Sequence, residues 1–421
     1  MGCNKCSLNM KFNRKIIPDT NYKPNFIIKK RFYEEEINFV ELRSYRLNRV
    51  KKELEKKNIE ACLLFDPVNI RYALDTTNMS IYNMHNLTRY CFIPLNGPVI
   101  LYEYFNCEDQ SNHLNLIDEV RPAITWDYFS YGDQANEQLN KWVKEVKDLT
   151  NSYSKNSKKL AIDVINGPAV AALNKAGLEI VDAKSILEQA RVIKSSEELK
   201  CTKAAIKVAE IGISKMRKEL KAGMTEDELW SILHKTNIEH GGEWIECRIL
   251  SSGERTNPWM QESSNKIIQS GEIVSFDTDM VGPYGYCADI SRAFVEGNNF
   301  NSEQKKIYQM AVEHIMHNAD LIKPGLSFNE FTEKSWKLPE EYYGNRYSCM
   351  VHGIGLCDEW PMIRYPTDGG QREGCFEKNM TISVETYIGK VGGKEGVKLE
   401  QQYLVTDNKL ELMSLHPLED I

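Results

Sequence analysis

Ile382-Ser-Val-Glu385 and Val397-Lys-Leu-Glu400 each set a glutamate inside an apolar, strand-like run. A carboxylate buried there is costly unless it is paired or metal-bound, so any fold that accepts both must bring counter-charge to them. The chain offers company for them. In Ile273-Val-Ser-Phe-Asp277-Thr-Asp279 two aspartates stand two residues apart, which on a strand points both from one face. Val281-Gly-Pro-Tyr-Gly285 then turns the chain, and Asp289 arrives on a returning strand. His352 lies in the glycine-rich stretch Val351-His-Gly-Ile-Gly355. Taken singly, each acid reads as a solvated or capping residue and the histidine as a core residue. As a set, five acids and one imidazole suit oxygen-rich ligation of two metal ions, and iron, manganese and zinc all fit.

At 421 residues the chain is long enough for two domains. Residues 1–35 show no periodicity and read as an N-terminal arm. Residues 36–190 alternate helical and strand-like patterns and read as a smaller α/β domain. Apolar residues recur at helical spacing from Glu36 to Lys57, Ala61 to Phe65 is a strand, and Asn96-Gly97 joins two apolar runs as a hairpin. Lys159–Val164, Pro168–Ala176 and Leu178–Val181 read as strand, helix, strand. Residues 191–421 read as an α+β domain. Ser195 with Glu198 and Thr225 with Glu228 form capping boxes that open two helices, the first ending at Gly223. A helix from Ser302 to about Ile322 stops at Pro324-Gly325. Strands are expected at Cys247–Ser251, Glu272–Asp279, Cys287–Phe294, Thr381–Tyr387 and Val397–Val405.

A formal charge of −7 argues against nucleic-acid binding, which needs a basic face. The longest apolar runs are strand-length, too short to span a membrane. Met1-Gly-Cys-Asn-Lys-Cys-Ser lacks the apolar core of a signal peptide and the Ser or Thr of a myristoylation motif, so the expected location is cytoplasmic. Eleven cysteines in a chain this long do not make a disulfide scaffold, and reduced thiols are expected. The single CxxC, Cys3 to Cys6, has no second pair at zinc-site spacing.

The order Asp, Asp, His-Gly-x-Gly, Glu, Glu, with the Asp289-Ile-Ser-Arg292 phrase, resembles the creatinase, prolidase and methionine aminopeptidase family with its pita-bread fold. The resemblance covers about 230 C-terminal residues, and the first half is similar to a creatinase-type N-terminal domain. It departs from the peptidase pattern at three places. Asn257-Pro258 is followed by Trp259 where a histidine is usual, Asp358 stands where a second histidine follows the glycine turn, and Asp277-Thr-Asp279 replaces Asp-x-Gly.

Those departures are similar to the DddP-type dimethylsulfoniopropionate lyases, a branch of this fold, through the phrase Leu356-Cys-Asp-Glu-Trp-Pro361. The resemblance implies metal ligands at Asp277, Asp279, Asp289, His352, Glu385 and Glu400, a catalytic base at Asp358 and a substrate contact at Tyr347. It also implies two metal ions, iron first with manganese or zinc as options, and a homodimer. Trp259 and Trp360 are further candidates to face a cationic sulfonium, which favours aromatic rings. The expected reaction is β-elimination of a small zwitterionic substrate. Asp358 is either its base or a hydrogen-bond acceptor that steadies His352. The alternatives are an Xaa-Pro aminopeptidase or prolidase-type metallopeptidase, and a non-catalytic pita-bread module that binds a partner protein.

Overall fold

The computed structural model describes residues 31–33, 36–154, 157–369 and 373–421, and the Cys3/Cys6 pair lies outside them. Glu36–Ile421 forms one compact unit. Among the described residues no helix is long and apolar enough to cross a membrane.

The N-terminal part is organised by a six-stranded mixed sheet. Its order is Glu119–Pro122, Ile100–Glu103, Tyr90–Pro94, Ala61–Leu64, Lys159–Ile162, Glu179–Asp182. Asn96-Gly97 does join an antiparallel pair, and the last three strands run parallel. A parallel link needs a crossover, which the helices Ala135–Tyr153 and Gly167–Lys175 supply. Phe65, Tyr90, Phe92, Trp126 and Trp142 fill the core between sheet and helices.

Ser195 opens the helix Ser196–Glu219 and Thr225 opens Glu226–Glu239, each with both hydrogen bonds of a capping box. The first helix stops four residues short of Gly223, whose φ of 93° belongs to the turn beyond it. Helix Ser302–Leu321 packs on the main antiparallel sheet of the C-terminal part. That sheet has the order Asp358–Arg364, Cys349–Ile354, Thr381–Gly389, Gly396–Val405, Leu410–Leu412. Pro361 donates no backbone hydrogen bond, and it is found on the edge strand beside a register shift between His352 and Gly353.

Two three-stranded sheets complete the C-terminal part: Leu250–Ser252, Ile273–Phe276 and Arg292–Val295, and Trp244–Ile245, Met280–Val281 and Cys287–Ala288. The continuous strands expected at Glu272–Asp279 and Cys287–Phe294 are each broken. Ile273–Phe276 ends before Asp277, and Asp289, Ile290 and Ser291 separate Cys287–Ala288 from Arg292–Val295. Thr278 is the physical reason. Its buried hydroxyl donates to Ala288 O at 2.7 Å and accepts from Ile290 N at 2.9 Å, so the two breaks are tied to each other.

Candidate metal centre

Glu385 and Glu400 are direct register partners on the two longest strands, and His352 pairs with Ser383, two residues before Glu385. Alternation puts all three side chains on one face of the sheet. Like charges directly opposite each other repel, so this register demands a cation between them. The donor atoms of His352, Glu385 and Glu400 lie within 4.8 Å of one another, as do those of Asp277, Asp289 and Glu400, and of Asp289, His352 and Asp358. The strand breaks deliver the aspartates. Asp277 and Asp279 are therefore not strand neighbours as alternation suggested, and Asp279 takes a left-handed φ of 32°. Asp279 borders the cluster but joins none of the three groups among the described residues. Burial and then Asp277 raise its carboxyl well above the usual range.

Sequence reasoning missed Lys398. Its fully buried ammonium lies 2.9 Å from Asp277 Oδ2, 2.9 Å from Glu385 Oε2 and 3.2 Å from Glu400 Oε2, and it donates to Ser291 Oγ at 2.8 Å. The signal was present, because position 398 is two residues from Glu400 and shares its strand face. Burial opposes the charge on Lys398, but Asp277, Glu385 and Glu400 outweigh it and hold the ammonium charged. Glu400 is likewise held below the ordinary range, since Lys398 and His352 outweigh burial. Elsewhere burial wins. It raises Asp277 and Asp289, and it lifts Glu385 to about 7.

The donor set fits metal ions on three counts. Asp289 Oδ1 and Glu385 Oε1 are buried without a hydrogen-bond partner. One lysine ammonium contacts three of the five carboxylates, and with all five ionised four negative charges remain, as many as two divalent cations carry. His352 Nδ1 sits 2.9 Å from Gly353 O and can donate to it, leaving Nε2 toward Glu400 at 3.2 Å and Asp289 and Glu385 at 3.5 Å. That tautomer presents a lone pair to a metal. With acids alone around it the ring is instead held protonated, because Asp358 and Glu400 outweigh the burial that would neutralise it.

Asp358 stands at the rim, its Oδ1 3.5 Å from His352 Nδ1 and its side chain 56% exposed. Tyr347 and Trp259 border the centre at Lys398, their ring centroids 5.1 and 5.7 Å from its Nζ, so the protein's own cation already engages both rings. Burial is secondary to the Glu385 charge in raising the Tyr347 hydroxyl. The Trp360 indole is turned elsewhere: partly buried, it packs edge-on against Phe328 at 5.1 Å, at the border of the C-terminal core. Glu246, also missed, is bound through its backbone N to Asp279 O at 3.0 Å. Surrounding protein, then Asp358 and Asp66, raise its carboxyl to about 7, an effect that its exposed flank weakens.

An α/β domain followed by helices and antiparallel sheets, with acids and one histidine converging on a sheet face, defines a pita-bread metal-site protein of two parts. Residues 200–407 match metallopeptidase family M24, and residues 46–193 match the creatinase/prolidase N-terminal domain. The chain is 37% identical over 386 residues to a dimethylsulfoniopropionate lyase DddP of Roseovarius nubinhibens, covering 90% of this chain and 86% of that protein. It is 24% identical over 372 residues to an Xaa-Pro dipeptidase of Pyrococcus furiosus, covering 86% and 95%. An Xaa-Pro dipeptidase structure from Bacillus anthracis shares the fold at a TM-score of 0.72 and 23% identity, covering 90% of this chain and 99% of that one. The chain belongs to the creatinase/prolidase family, and within it is close to the DddP lyases.

Proposed function

We propose that the protein is a dimethylsulfoniopropionate lyase that cleaves a carbon–sulfur bond by β-elimination, with Asp358 as its base. The observation that carries the reading is the make-up of the site: Asp277, Asp289, His352, Glu385 and Glu400 gather their donors, while Trp259 and Asp358 stand where a hydrolase keeps histidines. The 37% identity to DddP lyases supports it.

Asp277, Asp289, His352, Glu385 and Glu400 would hold two metal ions, iron first among them, with Asp279 beside them. Such ions supply Lewis-acid stabilisation of negative charge that builds on a substrate carboxylate. Asp358 is exposed, acceptor-only when ionised, and within reach of that region. It takes the proton from the carbon next to the substrate carboxylate. The electron pair of that C–H bond forms the carbon–carbon double bond as the C–S bond breaks, and the C–S pair leaves with neutral dimethyl sulfide. Acrylate and a protonated Asp358 remain, and the rim position lets that proton pass to solvent. No second acid is required, since the leaving sulfide is neutral. Trp259 and Tyr347 face the protein's own ammonium and would accept a sulfonium on the same electrostatic ground.

Headspace detection of dimethyl sulfide from iron-loaded protein tests the reading. Asp358→Ala is expected to abolish release while metal content stays unchanged, since its carboxylate stands exposed at the rim while five buried donors hold the centre. Release of a residue from an X-Pro dipeptide without sulfide production would favour the peptidase reading. Neither product would favour a binding module. Cytoplasmic location and a homodimer belong to the same proposal and are checked by fractionation and by light scattering.

A further inference from the structure

The residue after Asp358 is Glu359, whose side chain is only 1% exposed. Lys194 Nζ approaches Glu359 Oε2 at 2.6 Å and Arg191 Nε approaches Oε1 at 3.1 Å, both cations being buried themselves. Arg191 ends helix Lys184–Arg191, and Lys194 lies in the connection from it to helix Ser196–Glu219. Lys194 also donates to Arg191 O at 2.7 Å, and Arg191 pairs with Glu188 at 2.8 Å. Arg191 further donates to Asn69 Oδ1, and Asn69 donates to Asp163 at 3.0 Å, in the N-terminal sheet region. Two cations thus pair with two acids, Glu188 and Glu359, and Asn69 ties them on to a third, Asp163.

The target of the network lies in the loop that carries Asp358. Glu359 Oε1 accepts from Leu356 N at 3.2 Å, folding the turn 355–358 back over the carboxylate. Gly355 N donates to Cys357 O at 3.0 Å, and Gly355 O accepts from Cys287 N at 2.7 Å. A Cβ at Gly355 would lie 2.3 Å from Glu359 Oε1, so the second glycine of His-Gly-Ile-Gly is demanded by this carboxylate. Asp358 is exposed, with its carboxylate 3.5 Å from His352 Nδ1 and within 4.8 Å of an Asp289 oxygen, so the clamped residues on either side of it set where that carboxylate points.

We propose that Lys194 and Arg191 act through Glu359 as positioning residues for Asp358, so that the connection between the two halves of the chain sets the aim of the base. This rests on reading Asp358 as the base. A buried ion pair serving only as glue would cost stability without a selective loss of turnover.

The test uses the full-length, metal-loaded protein as Lys194→Met, Glu359→Gln and Lys194→Arg. For the first two, kcat for dimethyl sulfide release falls on the order of ten- to a hundredfold, the scale of a reacting group slightly misplaced, with KM and metal content unchanged. Lys194→Arg, which keeps a buried cation, restores most of the rate. Amide exchange at Gly355 and Leu356 quickens in Lys194→Met and Glu359→Gln, while strand Thr381–Gly389 keeps its protection. Unchanged exchange in the turn, or faster exchange with unchanged kcat, overturns the proposal. Glu359→Gln preserves shape and decides the matter if Lys194→Met does not fold. A wild-type protein that releases no sulfide sinks the lyase reading instead, and the exchange comparison still decides whether the clamp holds the turn.

Discussion

Replacing Lys398 by methionine removes the one ammonium among five acids while keeping the length of the side chain. Each of its contacts to Asp277, Glu385 and Glu400, at 2.9 to 3.2 Å, is worth about 5 kcal/mol gross at an effective dielectric near 20. Desolvation of the ammonium offsets several kcal/mol of that total, and the orphaned acids relieve more by taking up protons. The expected net cost in chelator-treated protein near neutral pH is about 3–5 kcal/mol, the size measured when one partner of a buried pair is deleted. The cost is also pH-dependent, with a definite sign. Without Lys398, Glu400 loses the partner that holds it low, and its folded-state value rises with that of Glu385. A carboxyl raised on folding contributes stability below its unfolded value and loses it as pH climbs toward the folded one. The gap to wild type should therefore widen as pH rises from about 4.5 to about 8. Urea unfolding of both proteins across that range, with chelator present, measures it. A gap below about 1 kcal/mol near neutral pH, or one that does not change with pH, refutes the assignment of Lys398 as counter-charge to the acids.

Wild-type protein freed of metal should itself lose stability as pH rises from about 4.5 to about 7, since burial lifts Glu385 to about 7; the loss is on the order of 3 kcal/mol. Divalent metal at a hundred times its dissociation constant should add about 2.7 kcal/mol or more and flatten this slope, which unfolding titrations with and without chelator would show. Gly353→Ala places a Cβ 2.5 Å from Trp360 O and 2.9 Å from Glu359 O, main-chain atoms that cannot step aside. It should cost about 1–3 kcal/mol and lower metal occupancy by shifting His352, both readable from unfolding curves and metal analysis; full occupancy would contradict the packing argument.

Local signals wrote much of this architecture. Capping boxes at Ser195 and Thr225, the Asn96-Gly97 hairpin and the apolar runs around Glu385 and Glu400 depend on neighbours a few residues away, so they were legible and are found in place. The aspartates were harder. Periodicity suggested a strand carrying both Asp277 and Asp279, but a threonine hydroxyl tied to a segment ten residues away ends the strand at Phe276. Trp360 read as a site aromatic from its place beside Asp358, and only packing against Phe328 shows where its ring goes.

The sequence by itself determined that buried acids had to be compensated or protonated, because two ionised glutamates in apolar strands are costly alone. Which groups compensate them, tertiary structure decided. Register sets Glu385 opposite Glu400, strand breaks carry in Asp277 and Asp289, and Lys398 closes on all but Asp289 of these four acids. Lys194 reaches Glu359 across 165 positions of chain. Charge compensation acts through space over a few ångströms, and a linear order of residues does not record which distant side chains will stand that close.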